Sequence, residues 1–348
     1  MKKQLLHLFP DLRKVPLPAY VVGGAIRDLI MGRDPADIDI ASNDPLAAAR
    51  TLRHKVIRLG KEEHISAYRI VLGEHVYDFA ELLDHDINAD LARRDFTINA
   101  MALDLERDEL LDPHGGQRDL GARVVRMVSA ENFEDDPLRM LKAVRMAVVF
   151  RFTIDDATIA AIQPRAQRIT EVAAERVAFE LSLIFSANQF SVATELLRKT
   201  RLDVPLFGRG LPRFDRDDIA YEMAMALIVD DPRAFGERWR WSESMIRDVT
   251  TLKKLMQHHD VVALFDAGER LARMLPDQNV VMPDFTIKPF LSGDEIASLT
   301  GIKPGPQLGR MKRALLEAQI RGEVKTKDDA VKFVGADALI RPARREPR

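Results

Sequence analysis

The sequence predicts an α+β protein, a mixed α/β unit at the N-terminus followed by an all-α remainder, and three observations carry that expectation. Short β-branched runs at residues 20–22, 38–41, 68–72 and 76–79 alternate with helical stretches. Beyond the turn Asp112-Pro113-His114-Gly115-Gly116, nearly every segment has the 3.6-residue periodicity of a helix, as at 138–149 and 173–185. Proline and glycine then crowd at 203–218 and 276–289, which reads as boundaries between helical subdomains. The expected division is therefore 1–116, 117–203, 204–340 and a disordered basic tail at 341–348, where Arg341, Arg344, Arg345 and Arg348 stand among two prolines.

With 348 residues, 46% of them hydrophobic, the chain is long enough for two or three packed units. No run of about 18 apolar residues occurs, and the start MKKQLLHLFPDLRK lacks the apolar core of a signal peptide, so a cytoplasmic protein without a membrane partner is expected. The absence of cysteine excludes disulfides, thiolate metal sites and a cysteine nucleophile, leaving a hard, oxygen-bound ion as the metal to expect. With 52 Lys and Arg against 54 Asp and Glu, the formal charge is −2, so a polyanion would have to meet a local patch.

The chemistry is expected first at Tyr20-Val21-Val22-Gly23-Gly24-Ala25-Ile26-Arg27-Asp28, where an apolar strand meets two glycines and then a helix. Glycine lets backbone approach a phosphate closely, a helix start offers unpaired N–H groups, and Arg27 adds a forked donor. A Gly-Gly turn by itself is often only a turn. It gains weight from Asp37-Ile38-Asp39-Ile40, because alternate strand residues share a face and both carboxylates can grip a cation while the isoleucines enter the core. A bare Asp-x-Asp is more often a solvated strand edge; coupling to Gly23, Gly24 and Arg27 reverses that preference. Asp78, inside the apolar run Val76-Tyr77-Asp78-Phe79, reads equally as a further catalytic carboxylate or as a polar-face residue.

These residues resemble the polymerase-beta-type nucleotidyltransferases, specifically the bacterial (class II) branch of CCA-adding enzymes and poly(A) polymerases. Gly23-Gly24-Ala25-Ile26-Arg27-Asp28 with Asp37-Ile38-Asp39 is similar to the family's first motif, and Arg93-Arg94-Asp95-Phe96-Thr97-Ile98-Asn99-Ala100-Met101-Ala102 to its second. Asp135-Asp136-Pro137-Leu138-Arg139-Met140-Leu141-Lys142-Ala143-Val144-Arg145 resembles the base-reading motif, and Glu175-Arg176-Val177-Ala178-Phe179-Glu180-Leu181 the helical motif after it. The resemblance is densest over 20–182, with a weaker echo at 302–319. Two departures stand out: Asp135 where Glu is common, and Lys142 where the family usually has arginine, which removes a fork from the nucleotide site.

The resemblance implies a palm-like catalytic domain at 1–116, a nucleotide-recognition neck at 117–203 and an RNA-binding body and tail at 204–340. It further implies that tRNA, CTP and ATP are the partners, and that C and A are added to the RNA 3′ end without a template. Asp37 and Asp39 would hold two Mg²⁺ ions for in-line attack of the 3′-hydroxyl on the α-phosphorus. Gly23, Gly24 and Arg27 would bind the triphosphate and Arg94 the nucleotide, Lys142 and Arg145 would add positive charge, and Asp95 and Asn99 would position the ribose.

Base choice has a physical account in Asp136 and Arg139, three apart on an expected helix and so neighbours on its surface. Cytosine and adenine both set an exocyclic amino donor beside a ring-nitrogen acceptor, whereas uracil and guanine put a carbonyl in the donor's place. Leaving buried polar groups unpaired rejects the wrong base by roughly 10⁴ or more. On another amphipathic helix the same pair would read as a surface ion pair. Glu175, Arg176 and Glu180 are expected to brace the base-reading helix.

Alternatives remain open on the sequence: a CC-adding or A-adding specialist, a poly(A) polymerase, a catalytically silent tRNA-binding protein, or an enzyme that modifies a protein or small molecule. The intact Asp37 and Asp39 argue against the silent binder, and the helical half against a small acceptor. Segment 60–67, where a flexible loop is expected to govern the switch to A, carries no further signal. The triplet His258-His259-Asp260 lacks spaced ligands and reads as a helix-end cluster rather than a metal site.

Overall fold

A computed structural model describes residues 1–59, 67–275 and 280–340. The expected tail at 341–348 lies outside the described residues, as do 60–66 of the expected loop and 276–279 of the second composition break. The chain separates into two compact units, Met1–Asp218 and Ile219–Arg348.

The first unit opens with α1 (Lys2–Leu8) and is built on a seven-stranded mixed sheet. Its strands are β1 (Ala19–Val22), β2 (Asp37–Ser42), β3 (Ile57–Leu59), β4 (Ala67–Leu72), β5 (His75–Glu81), β6 (Ala102–Asp104) and β7 (Glu109–Leu111). They lie in the order β3-β4-β5-β2-β1-β6-β7, parallel only between β2 and β5. Four strands, β1, β2, β4 and β5, follow the β-branched runs legible in the sequence, because half-buried alternation is a local signal. On β2, Ile38 and Ile40 are buried while Asp37 and Asp39 stay exposed. Below them Tyr77 and Phe79 fill the core, with Phe9 edge-on to Tyr77 at 5.6 Å.

The connecting helices are α2 (Gly24–Ile30), α3 (Pro45–Arg50), α4 (Ile87–Ala92) and α5 (Gly116–Ala122). After them come α6 (Asn132–Asp135), α7 (Leu138–Phe150), α8 (Asp156–Ile162), α9 (Ala174–Phe185), α10 (Phe190–Lys199) and α11 (Asp203–Phe207). Of these, α7 and α9 pack along one another around buried Leu141, Val144, Val148, Val177 and Leu181. The helical part of this unit is not purely helical: β8 (Val124–Val125) and β9 (Thr153–Ile154) form a short parallel ladder. Two residues per strand are too few to register as a pattern in sequence.

The second unit is helical, with α12 (Tyr221–Ile228), α13 (Pro232–Arg238), α14 (Glu243–Gln257), α15 (Val261–Ala267), α16 (Glu269–Ala272), α17 (Gly293–Thr300), α18 (Pro306–Ile320) and α19 (Lys327–Ile340). Side-chain caps start several of them, among them Asp231, Ser242, Asp260 and a Ser292–Glu295 capping box. Asp260 thus serves as the cap of α15, and His259 contacts the carbonyl of Leu255, so the His258-His259-Asp260 triplet is a helix-end feature. Among the described residues no helix is long and apolar enough to cross a membrane.

Candidate active site

The floor of the site is the central sheet. Asp39 on β2 sits opposite Val22 at the end of β1 on one side and opposite Asp78 of β5 on the other. Period-two alternation turns Asp37 and Asp39 to one face. Solvent reaches the Asp39 side chain from the cleft, yet the strand floor strips much of its hydration. That desolvation pushes its carboxyl up to about 6; Arg94 opposes the shift, and Asp78 and Asp37 add to it.

Asp78 lies beside Asp39 in register, but both of its oxygens are engaged. Arg69 of β4 donates to them through Nε and Nη2, each at 2.7 Å. Asp78, which reads in sequence equally as a third carboxylate or a polar-face residue, is held in a bidentate ion pair beside Asp39. Among the described residues no three or more ligating side chains gather into one cluster. The donor set is two hard carboxylates, which fits a divalent ion that keeps water and takes its remaining ligands from substrate phosphates.

Gly23 makes the turn from β1 into α2 with φ +78°, a conformation glycine adopts freely. A Cβ there would lie 2.8 Å from Nη1 of Arg94 and 3.3 Å from Oδ2 of Asp39, so the missing side chain leaves room for both groups. Arg27, expected at the triphosphate, is only 9% exposed. Its guanidinium donates to Asp28 at 2.9 and 3.0 Å and to Oδ1 of Asn99 at 2.8 Å, and stacks over Phe150 of α7 at 4.7 Å. Its partners make it a strut from the glycine turn to α7. Asn99 in turn donates to Asp95 at 3.0 Å, and Asp95 also accepts the N–H of Phe96, so Arg27, Asn99 and Asp95 form one chain of hydrogen bonds.

A polar cavity of about 280 Å³ is lined by Asp90, Arg93, Arg94, Asp95, Asp136, Arg139 and Lys142. It brings together the second and third sequence motifs, and Arg94 joins it to the carboxylate floor. The expectation that Asp136 and Arg139 share a helix is corrected here. Asp136 has extended backbone (φ −141°, ψ 96°) in the break between α6 and α7. The following Pro137 disfavours helical geometry at the residue before it. Asp136 does not pair with Arg139: its Oδ1 accepts from the N–H of Leu138 at 3.2 Å, and its Oδ2 accepts from Arg176 at 2.8 Å. Arg139 instead donates to the carbonyl of Asn132 at 3.0 Å. Arg145 is absent from the cavity lining and donates to buried Glu180 at 2.6 Å. The sequence expectation that Arg176 and Glu180 brace the base-reading helix thus has a direct geometric form.

Three residues carry no expectation from sequence yet matter here. Asp90 is 2% exposed and holds both Arg93 and Arg94. Asn132 donates to the carbonyls of Ala92 and Arg94. Asp119, also buried, accepts from Thr97 and Arg126. For Asp90, the spacing to Arg93 and Arg94, three and four residues on across the end of α4, is the available signal. A larger hollow of about 410 Å³ beside α10, lined by Ser191, Glu195, Lys199, Arg213 and Phe214 among others, has neither the carboxylate pair nor the glycine turn, so the chemistry is assigned to the smaller one.

Several known proteins and protein families are similar to this chain. The poly A polymerase head domain model matches residues 19–84 and 80–126, and a model described as the probable RNA and SrmB-binding site of polymerase A matches 151–214. An A-adding tRNA nucleotidyltransferase of Deinococcus radiodurans is 30% identical over 93% of this chain and 96% of its own length. A CC-adding tRNA nucleotidyltransferase of Synechocystis sp. is 38% identical over 51% of this chain and 44% of its own. The Bacillus stearothermophilus CCA-adding enzyme, solved in complex with CTP, shares the fold with a TM-score of 0.74 at 22% identity, over 97% of this chain and 98% of that one. On its sequence, fold and assembled motifs, the chain is an enzyme of the tRNA nucleotidyltransferase and bacterial poly(A) polymerase family.

Proposed function

We propose that the protein adds C and A to the 3′ end of tRNA from CTP and ATP, without a nucleic-acid template, and releases pyrophosphate. The single observation that carries this reading is the cavity in which Asp136, Arg139 and Lys142 face Arg93, Arg94 and Asp95, with Arg94 reaching the carboxylate floor. A base read by fixed polar side chains beside a metal-holding pair is what template-free selection needs.

Asp37 and Asp39 hold the divalent metal, Mg²⁺ in this proposal. When bound, it lowers the pKa of the attacking 3′-hydroxyl and neutralises charge on the triphosphate. Gly23 and Gly24 let the triphosphate approach the backbone, and Arg27 braces that turn. Arg94 offers a guanidinium to the nucleotide, Asp95 and Asn99 set the ribose, and Lys142 supplies a mobile point charge in the cavity wall. Arg145 acts through Glu180 to fix α7 against α9. Asp136, held by Arg176, accepts the exocyclic amino group of C or A, and Arg139 donates to the ring nitrogen. With tRNA and nucleoside triphosphates as substrates, the compartment is the cytoplasm.

Proteins named as A-adding and as CC-adding tRNA nucleotidyltransferases are both similar in sequence to this chain, so product length is the decisive readout. Purified protein with Mg²⁺ is given tRNA transcripts ending before CCA, after C and after CC, with each labelled nucleoside triphosphate singly and together. Ordered growth to CCA, lost in an Asp37→Ala/Asp39→Ala variant, is expected. Arrest at CC, addition of A alone or continued A addition would replace the proposal by the corresponding specialist, and no incorporation on any acceptor would overturn it.

A further inference from the structure

We infer that Asp90 is a positioning residue that aims Arg93 and Arg94 into the nucleotide cavity and keeps Arg94 off the metal-holding Asp39; the inference rests on the function proposed above. Asp90 stands on α4, and its side chain is only 3% exposed. Its Oδ1 accepts from Arg93 Nε at 3.2 Å and Nη2 at 2.9 Å; its Oδ2 accepts from Arg94 Nε at 3.2 Å and Nη2 at 3.0 Å. One carboxylate thus saturates one edge of two guanidiniums. Asn132 fixes the main chain of the same turn through the carbonyls of Ala92 and Arg94. Charge-assisted, forked contacts of this kind set orientation as well as energy.

Arg94 stands between two carboxylates. Asp90 holds its Nε and Nη2, while its Nη1 flanks the Gly23 turn on which Asp39 Oδ2 also borders. Without Asp90, the released guanidinium has a bare carboxylate within reach of its swing. Pairing with Asp39 would occupy a metal ligand and empty the nucleotide cavity of its fork. The result is a coupled loss: weaker nucleotide binding and a higher requirement for divalent ion. A residue that only stabilised the fold would lower both kcat and the amount of active protein without moving the metal titration.

The test is CCA addition by the full-length protein at varied Mg²⁺ and varied CTP or ATP, comparing wild type, Asp90→Asn, Asp90→Glu, Arg94→Ala and Asp90→Asn/Arg94→Ala, with melting curves alongside. Asp90→Asn is expected to raise the nucleotide KM by about tenfold and the half-saturating Mg²⁺ severalfold, with much of kcat recovered at saturation. Asp90→Glu, which keeps the charge on a longer arm, is expected to shift both less, and it carries the test if the Asn variant does not fold. In the Arg94→Ala background, Asp90→Asn should add no further metal requirement, since the competing guanidinium is gone. Folded Asp90 variants with wild-type nucleotide and metal dependence, or an equal metal shift without Arg94, overturn the inference. A wild-type enzyme that incorporates nothing overturns the function instead.

Discussion

At the scale of single residues, Asp39 links folding to chemistry. Desolvation, with help from Asp78 and Asp37, lifts its carboxyl to about 6 against the pull of Arg94, from an ordinary value of 3.8. Between those values the folded state binds a proton that the unfolded chain has released. Stability contributed by that proton is full below the lower value and lost as pH rises through the higher one. At neutral pH without metal, Asp39 therefore costs stability, and a bound cation relieves the cost. Asp39→Asn is expected to melt no lower than wild type at pH 7 in chelator, while incorporating no nucleotide. Melting both proteins from pH 4 to pH 8 checks the sign: the variant should gain on wild type as pH rises through this window, and parallel profiles would refute the account.

At the scale of elements, the site depends on a contact made by α5, which contributes no side chain to the cavity. Gly116, the first residue of α5, lies against the turn Thr97–Asn99; a Cβ there would sit 2.3 Å from the carbonyl oxygen of Thr97 and 2.9 Å from Met101. Asp119 on the same helix holds the Thr97 hydroxyl at 2.8 Å. Gly116→Ala must push α5 away from that turn, at about 1–3 kcal/mol for overpacking, and so shift Asn99 relative to Asp95 and Arg27. Gly121→Ala on the same helix meets nothing within 4 Å and should be neutral or slightly stabilising. Melting temperature and kcat/KM measured for the pair check this; equal effects would show that the close approach does not matter.

These contacts also separate what a sequence states from what only folding creates. The alternation Asp37-Ile38-Asp39-Ile40 and the Gly23-Gly24 turn are local patterns, so the carboxylate floor is legible in the amino-acid order alone. The three-residue spacing from Asp136 to Arg139 suggests a shared helix, but the proline after Asp136 outweighs it and keeps that residue extended. The spacing of Asp90 to Arg93 and Arg94 is a local hint of pairing, but the burial that gives Asp90 and Asp119 their roles is stated by no spacing. Arg27 and Arg145 carry family motifs, but their contacts to Asn99 and Glu180 span long stretches of chain that only the fold brings together.

At the scale of the whole molecule, charge decides how RNA is held. The 52 Lys and Arg are outweighed by 54 Asp and Glu, and many arginines are spent on internal pairs such as Arg145–Glu180, Arg176–Asp136 and Arg69–Asp78. Affinity for RNA that comes from phosphate neutralisation falls with salt in proportion to the number of counterions released. A chain of this composition has no excess of positive charge over negative to commit to a phosphate backbone, so shape and local contacts must do the rest. Titrating tRNA lacking CCA against the protein between about 50 and 200 mM salt should give a log–log slope of about −3 or shallower, far from the roughly −10 of a strongly basic nucleic-acid binder. Nucleotide KM should change much less over the same range, because Asp136, Arg139 and the Asp90-held arginines act inside a cavity where added salt screens poorly. A steep slope for tRNA would instead mean that a concentrated cationic face carries docking despite the net charge.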